Sequence, residues 1–329
     1  MINIAQFGAG FIGQVHAKNL SEHPSVNFAR VYDADPARAQ AAAEKFGTTA
    51  AATIEEILGD TSIDAVLIAS STNTHADLLK AAARAGKAVF LEKPIDLSYE
   101  VAQDAAAVAK EAGVPVMIDL NRRFDASNEA IREAVLSGEI GDVELIELSS
   151  RGPSLPPIEY LKVSGGQMRD QNVHFFDLMC WITGLEPVSV SAMGSALVDP
   201  QVAGVGDVDT SVAILKLSNG ALCQIDAQRR IGYGYDERIE VNGSKSMVEA
   251  GRQRTGWVNR YSKDQISTNG MHAGWFERIE PTYRAALDAF VDALEKGEAP
   301  SPSLEDGLRA QRIAEAATEA LTTGKAVQL

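Results

Sequence analysis

The first thirteen residues restrict the fold of this chain more than any other segment. Ile2–Phe7 is a short run of β-forming residues that passes straight into Gly8-Ala9-Gly10-Phe11-Ile12-Gly13, after which a helical pattern begins. Glycines at that spacing permit a tight turn, close approach of backbone to a ligand, and close packing of helix on strand. The N-terminus of the following helix offers unpaired N–H groups and the positive end of a dipole, a combination that suits phosphate. A glycine trio alone often marks an ordinary turn. Here it follows a strand and opens a helix, and Asp33 ends the next β-rich run about 20 residues beyond the last glycine. A carboxylate there can accept hydrogen bonds from an adenosine ribose and would repel a 2′-phosphate. The segment therefore predicts bound NAD rather than NADP, although Arg38, a turn further on, leaves room for NADP.

The pattern continues in kind. β-type runs at 28–32, 65–69, 88–91 and 114–118 alternate with Ala-rich helical stretches at 36–46, 75–85 and 99–112. Strand and helix alternating in this way is the mark of a doubly wound sheet. The expected class is α/β, with an N-terminal Rossmann domain of parallel strands over residues 1–121. After Asn121 the periodicity changes. A helix at 127–136, a strand at 143–150 and a helix at 166–183 are followed by β-runs at 188–196, 210–217, 221–229, 236–242, 245–250 and 255–259. Ser218-Asn219-Gly220 and Asn242-Gly243 read as hairpin turns, because Asn and Gly tolerate positive φ. Residues 122–329 are thus expected to form an α+β domain with a large, mainly antiparallel open sheet. Two last helices, 281–296 and 303–322, are free to pack back on the first domain.

Composition narrows the partners. A formal charge of −15 disfavours nonspecific nucleic-acid binding, which needs a basic footprint. Cys180 and Cys223 cannot form a disulfide framework and sit among apolar neighbours, where small buried thiols are expected. No Cys/His cluster has zinc-like spacing, so no metal is expected. Met1 runs directly into a strand without the pattern of a signal peptide, and no apolar run approaches the ~20 residues of a membrane span. The expected compartment is the cytoplasm, with no membrane partner.

Ligands of such sheets gather at the carboxyl ends of the strands. Two predicted strand ends carry polar segments: Ser70, Ser71, Thr72, Asn73, Thr74 and His75 after one, Glu92-Lys93-Pro94 after another. Thr74 is expected to cap the next helix while the loop passes beneath the cofactor. Ser70, Thr72, Asn73, His75, Glu92 and Lys93 join Gly8, Gly10, Phe11, Ile12, Gly13 and Asp33 as the expected cofactor contacts. A lysine at a strand end beside a nicotinamide can act on a substrate oxygen. In the second domain, Gly165-Gly166 precedes a helix bearing Asp170 and His174, four residues apart and so on one face. A histidine is the usual general base near neutral pH, and a carboxylate one turn away can orient it or hold substrate.

The order of a GxGxxG turn, a strand-end Asp, Glu-Lys-Pro and Gly-Gly-x-x-x-Asp-x-x-x-His resembles the glucose-fructose oxidoreductase, inositol dehydrogenase and rhizopine-catabolism family (Gfo/Idh/MocA). The resemblance spans nearly the whole chain. It includes Asn121-Arg122-Arg123-Phe124-Asp125, similar to that family's segment at the domain junction, and Tyr233-Gly234-Tyr235-Asp236, which looks like a sheet-edge segment near substrate in inositol dehydrogenases. The resemblance implies that Lys93, Asp170 and His174 are the catalytic set. His174 would take the proton of a ring hydroxyl as hydride leaves for the nicotinamide, Lys93 would steady the developing alkoxide, and Asp170 would hold the hydroxyl and help place the histidine. Asn172, Tyr235 and Arg151 are further candidates for substrate contact. The resemblance also implies a dimer or tetramer built through the second-domain sheet. Arg169 adds a charge beside Asp170, facing either substrate or a neighbouring subunit.

The activity so implied is NAD-dependent oxidation of a cyclic polyol, inositol to keto-inositol, as in inositol 2-dehydrogenases. An NAD(P)-dependent aldose or sugar dehydrogenase of the same family would use the same residues, and so would a reductase working toward the alcohol. A non-catalytic NAD-binding sensor is the alternative of another class, disfavoured by the joint presence of Lys93, Asp170 and His174.

Overall fold

Six parallel strands build the first sheet: β1 (Ile2–Phe7), β2 (Val26–Tyr32), β3 (Thr49–Ala50), β4 (Ala65–Ile68), β5 (Ala88–Glu92) and β6 (Val116–Asp119). Their order is β3-β2-β1-β4-β5-β6, with the reversal of direction between β1 and β4. β4, β5 and β6 are buried along their whole length, as expected of parallel strands covered on both faces. The helices between them are α1 (Phe11–Glu22), α2 (Pro36–Phe46), α3 (Ile54–Leu58), α4 (His75–Arg84) and α5 (Tyr99–Ala112). Small residues dominate the packed faces of α4 and α5, where Ala76, Ala82, Ala102, Ala105 and Ala109 meet Val89, Leu91 and Ile118. Local signals set the helix ends. Asp35 caps α2 ahead of Pro36, and Gly47 and Gly113 end α2 and α5 in the left-handed conformation.

A computed structural model describes all 329 residues and divides them into two units: Met1–Asn121 with Pro281–Arg309, and Arg122–Glu280 with Ala310–Leu329. Within the first unit, residues 281–296 of the helix Trp275–Lys296 cover the sheet face opposite α4 and α5. Phe290 packs edge-on to Phe90 and Tyr283 edge-on to His16 of α1.

The second unit is built on a seven-stranded sheet. Its elements are α6 (Ala126–Leu136), β7 (Val143–Arg151), α7 (Ile158–Leu161), α8 (Val173–Thr183), β8 (Pro187–Ser195), α9 (Pro200–Gly204), β9 (Thr210–Leu217), β10 (Leu222–Gln228), β11 (Asp236–Gly243) and β12 (Met247–Ala250). Further along the chain come the hairpin β13 (Asn259–Tyr261) and β14 (Ile266–Thr268), the helix α10 (Trp275–Lys296), whose residues 281–296 belong to the first unit, the helix α11 (Leu304–Thr323), and β15 (Val327–Gln328). The sheet order is β12-β11-β7-β10-β9-β8-β15, antiparallel except for the β7–β10 pair. One face buries Ile146, Leu148, Cys223, Ile225, Ile239 and Val241 against Phe175, Phe176 and Met179 of α8 and Ala314 and Ala317 of α11. Both cysteines are free and buried in that core. The other face carries Met193, Val212 and Ile214, which are exposed, beside Glu147, Asp226 and Glu240.

Three expectations need correction. The predicted helix 166–183 opens instead with a π turn, Met168–Asn172, and becomes α-helical only at Val173. The run 255–259 is not a sheet strand; its β-forming residues fall in a surface excursion whose strands β13 and β14 pair only with each other. β-propensity reports a fit to a pleated, half-buried surface and says nothing of which neighbour is present. Finally, Thr74 precedes α4 but does not cap it, because its hydroxyl donates to the Ser71 carbonyl.

Candidate active site

The three glycines after β1 do three different things. Gly8 has φ +96°, and a Cβ there would lie 2.4 Å from the Ala69 carbonyl oxygen at the end of β4. A Cβ on Gly13 would lie 2.3 Å from the Gly8 carbonyl oxygen, so the helix start is pressed onto the turn. Gly10 differs from both: a Cβ would meet nothing within 4 Å. Its lack of a side chain serves no packing inside the chain and leaves open the approach to the start of α1, whose first turn has no side-chain cap. That is the cradle a pyrophosphate requires, with backbone donors at a helix N-terminus. Beneath the turn, buried Gln6 donates from Nε2 to the carbonyls of Gly8 at 2.6 Å and Gly13 at 2.8 Å. Asp33 closes the arrangement by accepting from the Ala9 N–H at 2.7 Å and the Asp35 N–H at 2.9 Å. An ionised carboxylate has about four acceptor sites, so these two bonds orient Asp33 and leave it able to receive ribose hydroxyls. Arg38 is exposed and pairs with Asp35.

The loops after β4 and β5 are tied together by His75. Its ring is buried, with Nδ1 2.8 Å from the Pro94 carbonyl and Nε2 3.1 Å from that of Ser70. Burial pushes the imidazole below the ordinary histidine range, against the pull of those two carbonyls. Both ring nitrogens are engaged inside the protein, and the ring braces one loop against the other. Ser70 is bonded to Thr74 through their hydroxyls, while Asn73 is exposed and Thr72 half-buried. Glu92 is likewise engaged inside the protein. It is buried, with Oε1 2.9 Å from His16 Nε2 and Oε2 accepting the Lys93 N–H at 3.2 Å. Burial raises its carboxyl, but the hydrogen bond from His16 and the charge of Lys93 outweigh that and hold it below the usual carboxylate range.

In the second unit, Gly165 and Gly166 both have positive φ, and a Cβ on Gly166 would crowd the Asp207 carboxylate at 3.2 Å. The chain can therefore turn sharply into the π turn. Asp207 accepts the Gln167 N–H at 2.8 Å, and the Gln171 side chain donates to the Ser150 and Gln228 carbonyls at 2.9 and 3.2 Å. Wide turns of this kind recur at functional sites. Asp170 stands on it, accepting from the Tyr160 hydroxyl at 2.8 Å and from Arg229 Nη1 at 3.0 Å. Arg229 is almost wholly buried and its other arm reaches Asp207 at 3.1 Å. One guanidinium thus anchors Asp170 to the carboxylate that starts the turn. His174 follows in the first turn of α8, 8% exposed. Arg169 turns away from Asp170 and forms a two-armed pair with Glu315 of α11, so it belongs to the fold of its own unit.

Three expected substrate contacts have partners within the protein. Arg151 pairs with Asp226 at 2.6 Å and lies on the sheet face away from α8, since alternate residues of β7 point to opposite sides and Ser150 faces the helix. Asn172 is fully buried, its amide against the sulfur of Met168. Tyr235 is buried, its hydroxyl shared between Glu237 at 2.5 Å and Arg122 at 3.3 Å. Burial pushes that phenol well above the ordinary tyrosine range. The segment 121–125 is an ion-paired knot: Arg122 holds Glu237, Arg123 holds Asp177 through two bonds, and Asp125 holds Arg278.

Residues 2–120 match the oxidoreductase family with an NAD-binding Rossmann fold, and residues 132–329 match the C-terminal alpha/beta domain of the same family. The inositol 2-dehydrogenase of Rhizobium meliloti is 39% identical over 328 residues, covering all of this chain and 99% of that one. A solved myo-inositol dehydrogenase from Corynebacterium glutamicum superimposes with a TM-score of 0.94 at 34% identity, covering 100% and 99% of the two chains. The scyllo-inositol dehydrogenase of Lactobacillus casei, solved with NAD(H) and scyllo-inositol bound, gives 0.92 at 27% identity, with 100% of this chain and 99% of that one covered.

Proposed function

The chain belongs to the oxidoreductase family with an NAD-binding Rossmann fold and a C-terminal alpha/beta domain, and on that premise we propose that it oxidises a secondary ring hydroxyl of inositol to the ketone with NAD⁺. The observation that carries the substrate class is full-length likeness to proteins named inositol 2-dehydrogenase, together with the likeness to a neighbour solved with NAD(H) and an inositol. NAD⁺, when bound, accepts hydride at its nicotinamide.

The chain's own residues divide the remaining work. Gly10 and the start of α1 receive the pyrophosphate, and Asp33 receives the ribose. His174 takes the proton of the reacting hydroxyl as general base. Lys93, as a cation, stabilises the negative charge that develops on the substrate oxygen. Asp170, held in place by Arg229 and Tyr160, accepts a hydrogen bond from substrate and keeps it oriented. The protein acts in the cytoplasm as a homo-oligomer of two or four copies, joined through the sheet face that exposes Met193, Val212 and Ile214.

The test is NADH formation with a panel of inositols, aldoses and sugar acids, offered with NAD⁺ and with NADP⁺. Turnover of an inositol with NAD⁺ is the expected result. His174→Ala should lower it by about 10²–10⁴-fold, the usual size of a general-base contribution, with NAD affinity retained. Turnover of aldoses alone would move the substrate while keeping the chemistry. Silence across the panel, with NAD still bound, would favour a sensor.

A further inference from the structure

Lys93 follows a carboxylate that the proposed chemistry does not use. Glu92 ends β5, Asp119 ends the neighbouring β6, and His16 points at both from the buried side of α1. His16 Nε2 lies 2.9 Å from Glu92 Oε1 and 3.6 Å from Asp119 Oδ2. Ligand atoms of His16, Glu92 and Asp119 all lie within 4.8 Å of one another. All three are buried.

Two carboxyl groups can share a hydrogen bond only if one of them holds a proton. The charge belongs on the carboxylate nearer the imidazole N–H and the lysine cation. Glu92 receives the His16 Nε2–H and the Lys93 N–H and stands beside the Lys93 cation, whereas Asp119 is farther from His16. Nδ1 of His16 has no hydrogen-bond partner and its ring packs between Phe90 and Tyr283, so the tautomer with hydrogen on Nε2 leaves no buried N–H unpaired. A proton on Asp119, a charge on Glu92 and a hydrogen on His16 Nε2 therefore satisfy the cluster without an added ion. A divalent metal would be the other way to bring these three ligand types together, but it would displace the hydrogen that joins His16 to Glu92.

We propose that His16, Glu92 and protonated Asp119 form a buried proton-sharing triad that positions Lys93. Glu92 grips the Lys93 backbone N–H, Asp119 and His16 fix Glu92, and His16 ties the assembly to α1, the helix that starts at the glycine turn. The three are positioning residues; the proposal rests on the reading of Lys93 as a catalytic cation.

The test compares Asp119→Asn, Asp119→Leu and Glu92→Gln in the full-length enzyme, with Lys93→Met as a control. An asparagine amide can donate to Glu92 as the protonated acid does, so Asp119→Asn should keep kcat within about twofold. Asp119→Leu and Glu92→Gln should lower kcat by about 10- to 100-fold, the scale expected of a misplaced catalytic group, with the Kd for NADH unchanged. Independently of turnover, the infrared spectrum of the wild type at neutral pH should contain a carboxylic-acid C=O band that Asp119→Asn removes. If Asp119→Leu does not fold, that band and the other two variants decide. Absence of the band, equal damage from Asn and Leu, or a stoichiometric metal lost in Asp119→Asn would each overturn the triad. Full activity of Lys93→Met would instead remove the reading of Lys93, and the infrared band would still report on the proton. Normal kcat in Asp119→Leu and Glu92→Gln beside an inactive Lys93→Met would overturn the positioning role alone.

Discussion

Gly8 and Gly10 stand two residues apart in one turn, yet alanine at each should produce opposite phenotypes. At Gly8, alanine must adopt φ +96° and place its Cβ 2.4 Å from a backbone carbonyl oxygen. Backbone in a sparsely populated region costs about 1–3 kcal/mol, and overpacking against a rigid neighbour about 1–3 kcal/mol more. The sum, about 2–6 kcal/mol, corresponds to a fall in Tm on the order of 5–20 °C at roughly 2–4 °C per kcal/mol. At Gly10, φ is −68° and ψ −165°, open to any residue, and the new methyl meets nothing within 4 Å. Gly10→Ala should therefore leave the unfolding transition within about 0.5 kcal/mol of wild type. The methyl would instead project into the space through which a phosphate reaches the helix start. We expect the Kd for NADH to rise at least about tenfold, or ~1.4 kcal/mol. Thermal unfolding followed by circular dichroism reads the first quantity, and NADH fluorescence titration the second. A Gly10→Ala protein that binds NADH like wild type, or that melts as early as Gly8→Ala, would refute the assignment of Gly10 to the cofactor.

The remaining expectations concern buried polar groups. Arg229→Met removes the cation between Asp170 and Asp207, and stranding buried charge in this way costs about 3–5 kcal/mol. Adding Asp207→Asn should recover much of the Tm but not kcat, because Asp170 still lacks its anchor; recovery of both would mean that Arg229 serves the fold alone. His75 has a folded imidazole held below its unfolded value of 6.5. Between the two values the unfolded chain binds more protons, so its contribution to stability is complete above about pH 6.5 and is lost as the pH falls through the folded value. Tm should therefore decline on acidification below pH ~6.5, less steeply in His75→Gln; parallel slopes would deny His75 that role.

The fold was legible wherever a local pattern carried the signal. The parallel strands of the first unit are continuous apolar runs, and their helices are bounded by Asp35-Pro36, Gly47, Ser98 and Gly113, residues whose backbone or side-chain chemistry marks an end. The antiparallel strands of the second unit alternate buried and exposed residues along their length, β9 most cleanly. The π turn was not legible, because nothing in Gln167-Met168-Arg169-Asp170 distinguishes a wide helical turn from an ordinary one. What creates it is the grip of Asp207, Ser150 and Gln228 on Gln167 and Gln171, from 21 to 57 positions away along the chain. Arg151 illustrates a simpler limit: a strand-end arginine looks available until strand parity puts it on the sheet face away from α8, beside Asp226.

Partners of buried charge were the least legible part of the site. His16 could have been noticed, since it falls with Gly13, Ala17 and Leu20 on the packed face of α1, where a polar residue needs a partner. Its partner lies 76 positions away, and no local pattern connects them. Gln6 raises the same alarm inside an otherwise apolar strand, and its two acceptors prove to be the glycine carbonyls it supports. Arg229 offers no such clue, because a basic residue after a strand reads as solvated. The two carboxylates beside the candidate catalytic groups are held by the same means. Glu92 beside Lys93 is gripped by His16, and Asp170 before His174 is fixed by Arg229 and Tyr160. Each is locked by donors drawn from other elements of its own unit, so its geometry is set before substrate arrives. Preorganisation of that kind is where an enzyme gains most from its fold, and it depends on residues that a motif search passes over.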